Sequence, residues 1–276
     1  MSAIIAPASH DGALPHDRRP LLLDVLRSEW TKLRSVRSTY WTLLAAAAVT
    51  IGLGAILSVF YINNYTTMSA ADRAGFEPTG YALSGLFLAQ LAIGVLGALV
   101  ITSEYGTGMI RTTFAAVPQR RLVLGAKAIV FTAVTLVTGV LSCLVGFFLS
   151  QAILSTHHLQ TTIGAPGVLR AVIGGGLYLA VLGLLAFGIG AIIRHTAGAI
   201  SAIFGLILVL PTMAIFLPSS WSNRVSPYLP SNAGRAVFSV AQQPHSLAPW
   251  TGLAVFSAYA AIALLVAGFL LTRRDA

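Results

Sequence analysis

The chain has 276 residues, of which 56% are hydrophobic and only 9% charged, with a mean hydropathy of +0.82. A soluble domain needs far more charge to cover its surface, so the composition excludes a water-soluble globular protein and points to an integral membrane protein. The net charge of +9 does not argue for nucleic acid, because the cations cluster at the ends of apolar segments, where topology signals and headgroup contacts belong.

Residues 1–20 are irregular and polar, with His10, Asp11, His16 and Asp17, and read as a disordered tail ahead of one transmembrane domain over 21–276. They do not read as a signal peptide, since no short apolar core with a small-residue cleavage pattern follows. Pro20 then opens LLLDVLRSEWTKLRSVRS, in which Leu22, Leu26, Trp30, Leu33 and Val36 fall on one helical face and Arg27, Thr31 and Arg34 on the other. That pattern predicts an interfacial helix on the inner leaflet. Glu29 lies on its apolar side and wants a cation: either Lys32, one turn on, or Arg111 or Arg120 in the loop after the second span.

Six segments reach the roughly 20 apolar residues needed to cross about 30 Å of hydrocarbon: Tyr40 to Ile62, Tyr81 to Thr102, Ala128 to Leu149, Ala171 to Ile193, Ala197 to Leu217 and Trp250 to Leu271. Tyr40, Trp41, Tyr61, Tyr81, Tyr105, Trp221 and Trp250 stand at or just beyond their ends, as interface aromatics do. Thirteen of the seventeen Lys and Arg fall on one side, the exceptions being Arg73, Arg170, Arg224 and Arg235. The expected fold is therefore all-α, with six transmembrane helices, an N-terminal interfacial helix and both termini cytoplasmic.

The connections differ in character. Asn63 to Gly80 and Gln151 to Gly167 are modest outer loops. Between the second and third spans lies EYGTGMIRTTFAAVPQRRLVLGAK, Glu104 to Lys127. Gly106 and Gly108 break the apolar run, and Thr107 can cap a short helix whose Met109, Ile110, Phe114 and Val117 recur at helical spacing until Pro118. With Arg111, Gln119, Arg120 and Arg121 around it, this predicts an apolar ridge ringed by cations and offered to the cytoplasm. Lys127 enters the third span from that side, its stem able to reach back to the interface. Arg170 and Arg194, roughly 36 Å apart along a helix, read as anchors at the two edges of the fourth span.

Gly174, Gly175, Gly176, Gly183, Gly188 and Gly190 in the fourth span, with Gly94 and Gly97 in the second, allow close helix approach, and Pro211 can kink the fifth. In Pro218 to Pro249, Ala233, Val237, Phe238 and Val240 suit either a short re-entrant helix capped by Ser231 or Asn232 or a surface-lying amphipathic loop.

The inventory of chemistry is thin. The eight acidic residues are Asp11, Asp17, Asp24, Glu29, Asp72, Glu77, Glu104 and Asp275, and none falls mid-span, which disfavours an ion-coupled carrier. There is no G-x-x-x-x-G-K-[ST] loop, G-x-S-x-G or H-E-x-x-H. The single Cys143 has no disulfide partner in the chain, and His157 and His158 read as solvated loop residues. Three classes stay open on these residues: a conduit worked by an outside motor, a membrane sensor or anchor that recruits a cytoplasmic partner, and a passive channel or secondary carrier.

LRSEWTKLRSVRSTYW before the first span, EYGTGMIRTTFAAVPQRRLVLGAK after the second and YLPSNAGRAVF before the sixth together resemble the permease subunits of ABC-type exporters of the type-2 class, from about Leu21 onward. The resemblance implies that Leu22 to Ser38 is the elbow helix, with Glu29, Trp30 and Lys32. It implies that Thr107 to Val117 is the coupling helix, seated in a groove of a separate ATP-binding subunit, with Glu104, Thr107, Met109, Ile110, Arg111, Phe114, Arg120 and Arg121 at or near the contact. Trp221 to Ser239 would form the outer re-entrant helices, with Trp221, Asn232 and Phe238 at the outer gate. Implied partners are an ATP-binding cassette ATPase that carries ATP and Mg, a second permease chain and the lipid of a bacterial cytoplasmic membrane. No catalytic, cofactor or metal site is expected in this chain.

Overall fold

The computed structural model describes residues 22–117, 119–216, 218–241 and 244–273, and all regular structure there is helical. The tail over 1–20, the helix-ending Pro118, Leu217 at the expected end of the fifth span, and Arg274 and Asp275 lie outside the described residues.

Helix α1 (Leu22–Ser35) is separated from α2 (Arg37–Asn64) by Val36, whose extended backbone, φ −86° and ψ 105°, makes the corner. The elbow therefore ends before Ser38, and Arg37 and Ser38 open the first span. Only Val25 and Glu29 of α1 are buried, with Leu26, Lys32 and Leu33 partly so, whereas Leu22 and Trp30 are exposed. The inward face is thus turned from the expected apolar stripe toward the one that carries Glu29.

The first outer loop folds further than expected. Ser69 caps α3 (Ala70–Ala74), and Glu77 caps α4 (Pro78–Leu83) by accepting the N–H groups of Thr79 and Gly80. Phe76 stacks on Tyr61 with ring centroids 3.7 Å apart. Tyr81 consequently belongs to α4, and the second span, α5 (Leu86–Gly106), starts after a break at Gly85. A Cβ on Gly85 would stand 2.5 Å from the Thr50 Cα, so only glycine lets the chain step past α2 there.

After α6 (Met109–Ala116) comes α7 (Arg120–Leu154), whose 35 residues extend well past the Ala128 to Leu149 run at both ends. RRLVLGAK contains no breaker, so the helix begins two turns before the apolar run does and Lys127 lies inside it. Helix α8 (Val168–Ile193) is central, packed against α5, α7 and α13 (Pro249–Arg273) and against α9 (Thr196–Phe204). A Cβ on Gly97 would meet the Gly183 carbonyl oxygen at 2.5 Å, the backbone approach that the glycines of these two spans allow; Gly94 sees only ordinary contact with Ile203.

The fifth span joins α9 to α10 (Leu210–Ile215) through a π-helical turn, Gly205–Val209, where the Leu210 N–H reaches back to the Gly205 carbonyl. Pro211 has no N–H and its ring crowds the carbonyl four residues earlier; the wider turn ahead of it accommodates both. The chain returns through α11 (Ser219–Val225) and α12 (Pro230–Arg235) to α13. Among the described residues, six stretches, α2, α5, α7, α8, α9 through α10, and α13, are long and apolar enough to cross a membrane.

Candidate functional site

Four helices meet on a cluster of charge at the α6 end of the bundle. Glu29 of α1, Glu104 in the last turn of α5 and Lys127 of α7 are each at most 5% exposed. The Lys127 ammonium donates to Glu29 Oε2 at 2.5 Å and to Glu104 Oε1 at 2.7 Å. Lys32 donates to Glu29 Oε1 at 2.8 Å and to the Thr113 hydroxyl of α6 at 3.2 Å, and stands 3.9 Å from Glu104 Oε1. Two carboxylates and two ammoniums cancel formally. Glu29, Glu104 and Lys127 are dry enough to be tolerated only when paired, and losing one partner strands another, while the half-buried Lys32 adds the link to α6, so the cluster fixes how α1, α5, α6 and α7 sit against each other.

Of the cations open to Glu29, Lys32 is a partner, whereas Arg111 and Arg120 are not among its ion pairs; the second cation is Lys127. Lys127 was expected to reach back to the interface. It cannot be read that way once α7 is seen to begin at Arg120, because it then projects between α1 and α5. The available signal was two carboxylates, one on α1 and one closing α5, with one lysine on the next span.

Helix α6 turns Ile110, Phe114 and Val117 of the expected ridge inward and leaves Met109 outward. Gly108, at φ 72°, leads into it with no side-chain cap, and Thr107 instead donates to the Ser103 carbonyl. Ile110 is buried in the main core, while Phe114 and Val117 pack on Val25, Val123 and Ala126. The Arg120 guanidinium covers the Phe114 ring, 5.5 Å from its centroid, and donates to the Leu271 carbonyl of α13 at 3.2 Å. The apolar ridge therefore seats α6 on its own chain. What faces outward is Met109, Arg111, Thr112 and Ala115, flanked by Thr107 and Arg121.

At the other end, the segment before α13 folds back against the bundle instead of lying on its surface. Leu229 leads into α12, with Pro230 in its first turn, so neither Ser231 nor Asn232 caps it. The Asn232 amide donates instead to the carbonyl and hydroxyl of Ser226 at 3.0 and 2.9 Å. Ala233 and Val237 are fully buried, and Phe238 stands edge-on to Tyr178 of α8 with centroids 5.1 Å apart. Trp221, 64% exposed, is not brought to them. Arg170 is more than an edge anchor: its guanidinium donates to the carbonyls of Val237 at 2.9 Å, Ser239 at 3.1 Å and Ala236 at 3.4 Å, which closes the returning turn.

Six membrane-length helices around a glycine-rich centre, with a short helix held between the second and third spans, define a multi-pass membrane protein. The family model described as ABC-2 family transporter protein matches residues 25–212, from α1 into α10, and the chain belongs to that family. It is thereby the membrane-spanning permease component of an ABC transporter. No curated protein matches the sequence.

Proposed function

We propose that the chain is the permease of an ATP-driven exporter, worked by a separate ATPase subunit that seats on the outward face of α6. The observation that carries this reading is the clamp on α6. Ile110 and Phe114 hold it to the core, and Lys32 links it to the cluster that ties α1, α5 and α7 together. A force on α6 is then shared by the spans on either side of it. ATP binding draws two ATPases together, each displaces one α6, α5 and α7 tilt, and a path opens between two permease chains.

The abundance of Lys and Arg at the α6 end supports cytoplasmic termini, in a bacterial cytoplasmic membrane, with the ATPase on that side. ATP and Mg belong to that subunit. The apolar exposed faces of the spans suit a hydrophobic or amphipathic cargo. On α6, Met109 and Arg111 supply contact and register to the partner. Glu104, Ile110 and Phe114 act from beneath, holding the helix that is pushed.

The test is the doubly substituted chain Met109→Asp, Arg111→Glu, co-expressed with its ATPase. It should insert and melt as the native chain does, fail to copurify with the ATPase and lose ATP-dependent efflux. Efflux at the native rate would remove α6 as the point of transmission. Ile110→Asp and Phe114→Asp are unsuitable, because they disturb the seat of α6 within its own chain.

A further inference from the structure

Arg235, which closes α12, is a cation carried to membrane depth with only neutral groups against it. Its guanidinium lies over the Phe87 ring of α5, 5.5 Å from the centroid, and within reach of the Tyr178 hydroxyl, which stands roughly 15 Å along α8 from its Val168 end. That hydroxyl donates to Gln90 Oε1, and Gln90 Nε2 donates to the Phe87 carbonyl. Beside the guanidinium opens a cavity of about 390 Å³, walled by Phe87, Phe238 and Val240 and closed at its buried end by Gln90 and Tyr178. We propose that this cavity binds an anionic amphiphile, its acid group received by Arg235 and its apolar stem lying along Phe87, Phe238 and Val240. This does not depend on ATPase coupling.

A cation held at that depth is costly unless an anion joins it. Arg235 forms no ion pair among the described residues, and no Asp or Glu occurs between Tyr105 and Arg274. The one carboxylate on the cavity wall is Glu77, and it gives both oxygens to the N–H groups of Thr79 and Gly80 at the start of α4. The local charge does not cancel either. Arg170, which holds the Val237 and Ser239 carbonyls of the same returning turn, adds a second guanidinium against that one capped carboxylate, so the surplus at the cavity is positive. Ser84 and Ser239 also line it, and their hydroxyls donate to the Tyr81 and Arg235 carbonyls. The rest of the wall is mostly apolar, which suits an alkyl stem. The way in is open: Arg235 is only partly buried, Phe87 is 52% exposed, and Ala241 stands exposed on the wall.

An anionic phospholipid and a free long-chain acid share this chemistry. The experiment uses the full chain in phosphatidylcholine nanodiscs, titrated with submicellar dodecyl sulfate or with dodecanol, the bound molecules being counted by native mass spectrometry. Dodecyl sulfate should bind one per chain, at least about tenfold more tightly than dodecanol, which has the same stem and no charge. Arg235→Gln removes the cation, and Ala241→Trp narrows the cavity without touching a charge. Each should abolish that preference, and the second keeps the test valid if the first folds poorly. Arg224→Gln removes an exposed cation of α11 that does not line the cavity, and should leave the preference intact. Displacement of dodecyl sulfate by phosphatidylglycerol identifies the lipid as occupant, and displacement by dodecanoate alone identifies a free acid; both support the site. Equal binding of the two probes, displacement by neither competitor, a preference that survives Ala241→Trp, or its loss in Arg224→Gln would overturn it.

Discussion

At the α6 end of the bundle, four helices converge on two carboxylates and two ammoniums; at the α12 end, the returning segment is held by close apolar contact and by one guanidinium on three carbonyls. The first arrangement names its partners, since each ammonium has defined acceptors on other helices and any slip leaves a charge dry. The second is steric. A Cβ on Gly234 would meet the rings of Tyr178 and Phe256 at 2.7 Å, and one on Gly252 would meet the Ala233 carbonyl oxygen at 2.4 Å. Within a membrane, apolar surface gains little by leaving lipid, so the α12 end depends on near-zero clearance and satisfied carbonyls. Pairing thus links helices that must keep register under load, while packing closes an end.

The two ends should break differently. The largest effect is expected from Lys127→Met, which leaves Glu29 and Glu104 facing each other with only Lys32 between them. Removing one partner of a buried pair typically costs about 3–5 kcal/mol, and a thermal melt of the purified chain should register it. A loss under about 1 kcal/mol would mean that the cluster does not hold the joint.

Gly234→Leu should cost about 1–3 kcal/mol by forcing side chains into occupied space. Proteolytic nicking near Arg111 and Arg121 should stay at the native rate, because the α6 end is untouched. Arg170→Met leaves the carbonyls of Val237 and Ser239 without that donor and should cost about 1–3 kcal/mol in the same melt. Combined with Lys127→Met it should add within about 0.5 kcal/mol, and a larger deviation would reveal coupling between the ends through α8. The smallest effect belongs to Arg111→Glu, an exposed change on α6 expected to move stability by no more than about 0.5 kcal/mol.

The spans were legible because a run of about 20 apolar residues has few alternatives to a crossing helix. Their ends were less so. Hydropathy marks where lipid contact stops, whereas α7 continues as helix through RRLVLGAK, and that difference moved Lys127 from the membrane edge into the charge cluster. Glu29 announced itself as a carboxylate in need of a cation, and Lys32 was within reach by helical spacing alone. Its second partner came from a helix 98 residues away. The spacing of Ile110 and Phe114 gave an amphipathic helix but no indication that its apolar side faces its own chain. For the same reason Arg170 resembled any cation at a membrane edge until the carbonyls after α12 were placed beside it.

Local periodicity and composition determined six crossings, a polar connection between the second and third, and a proline-bearing fifth span, because each of these follows from one segment's own contact with lipid or water. Which side of α6 is free, which lysine neutralises Glu29 and Glu104, and what closes the far end were decided only when α1, α5, α7 and α8 packed together. The strength of an ion pair or a backbone contact depends on atoms brought together from distant parts of the chain, and a single segment carries no record of what will lie opposite it.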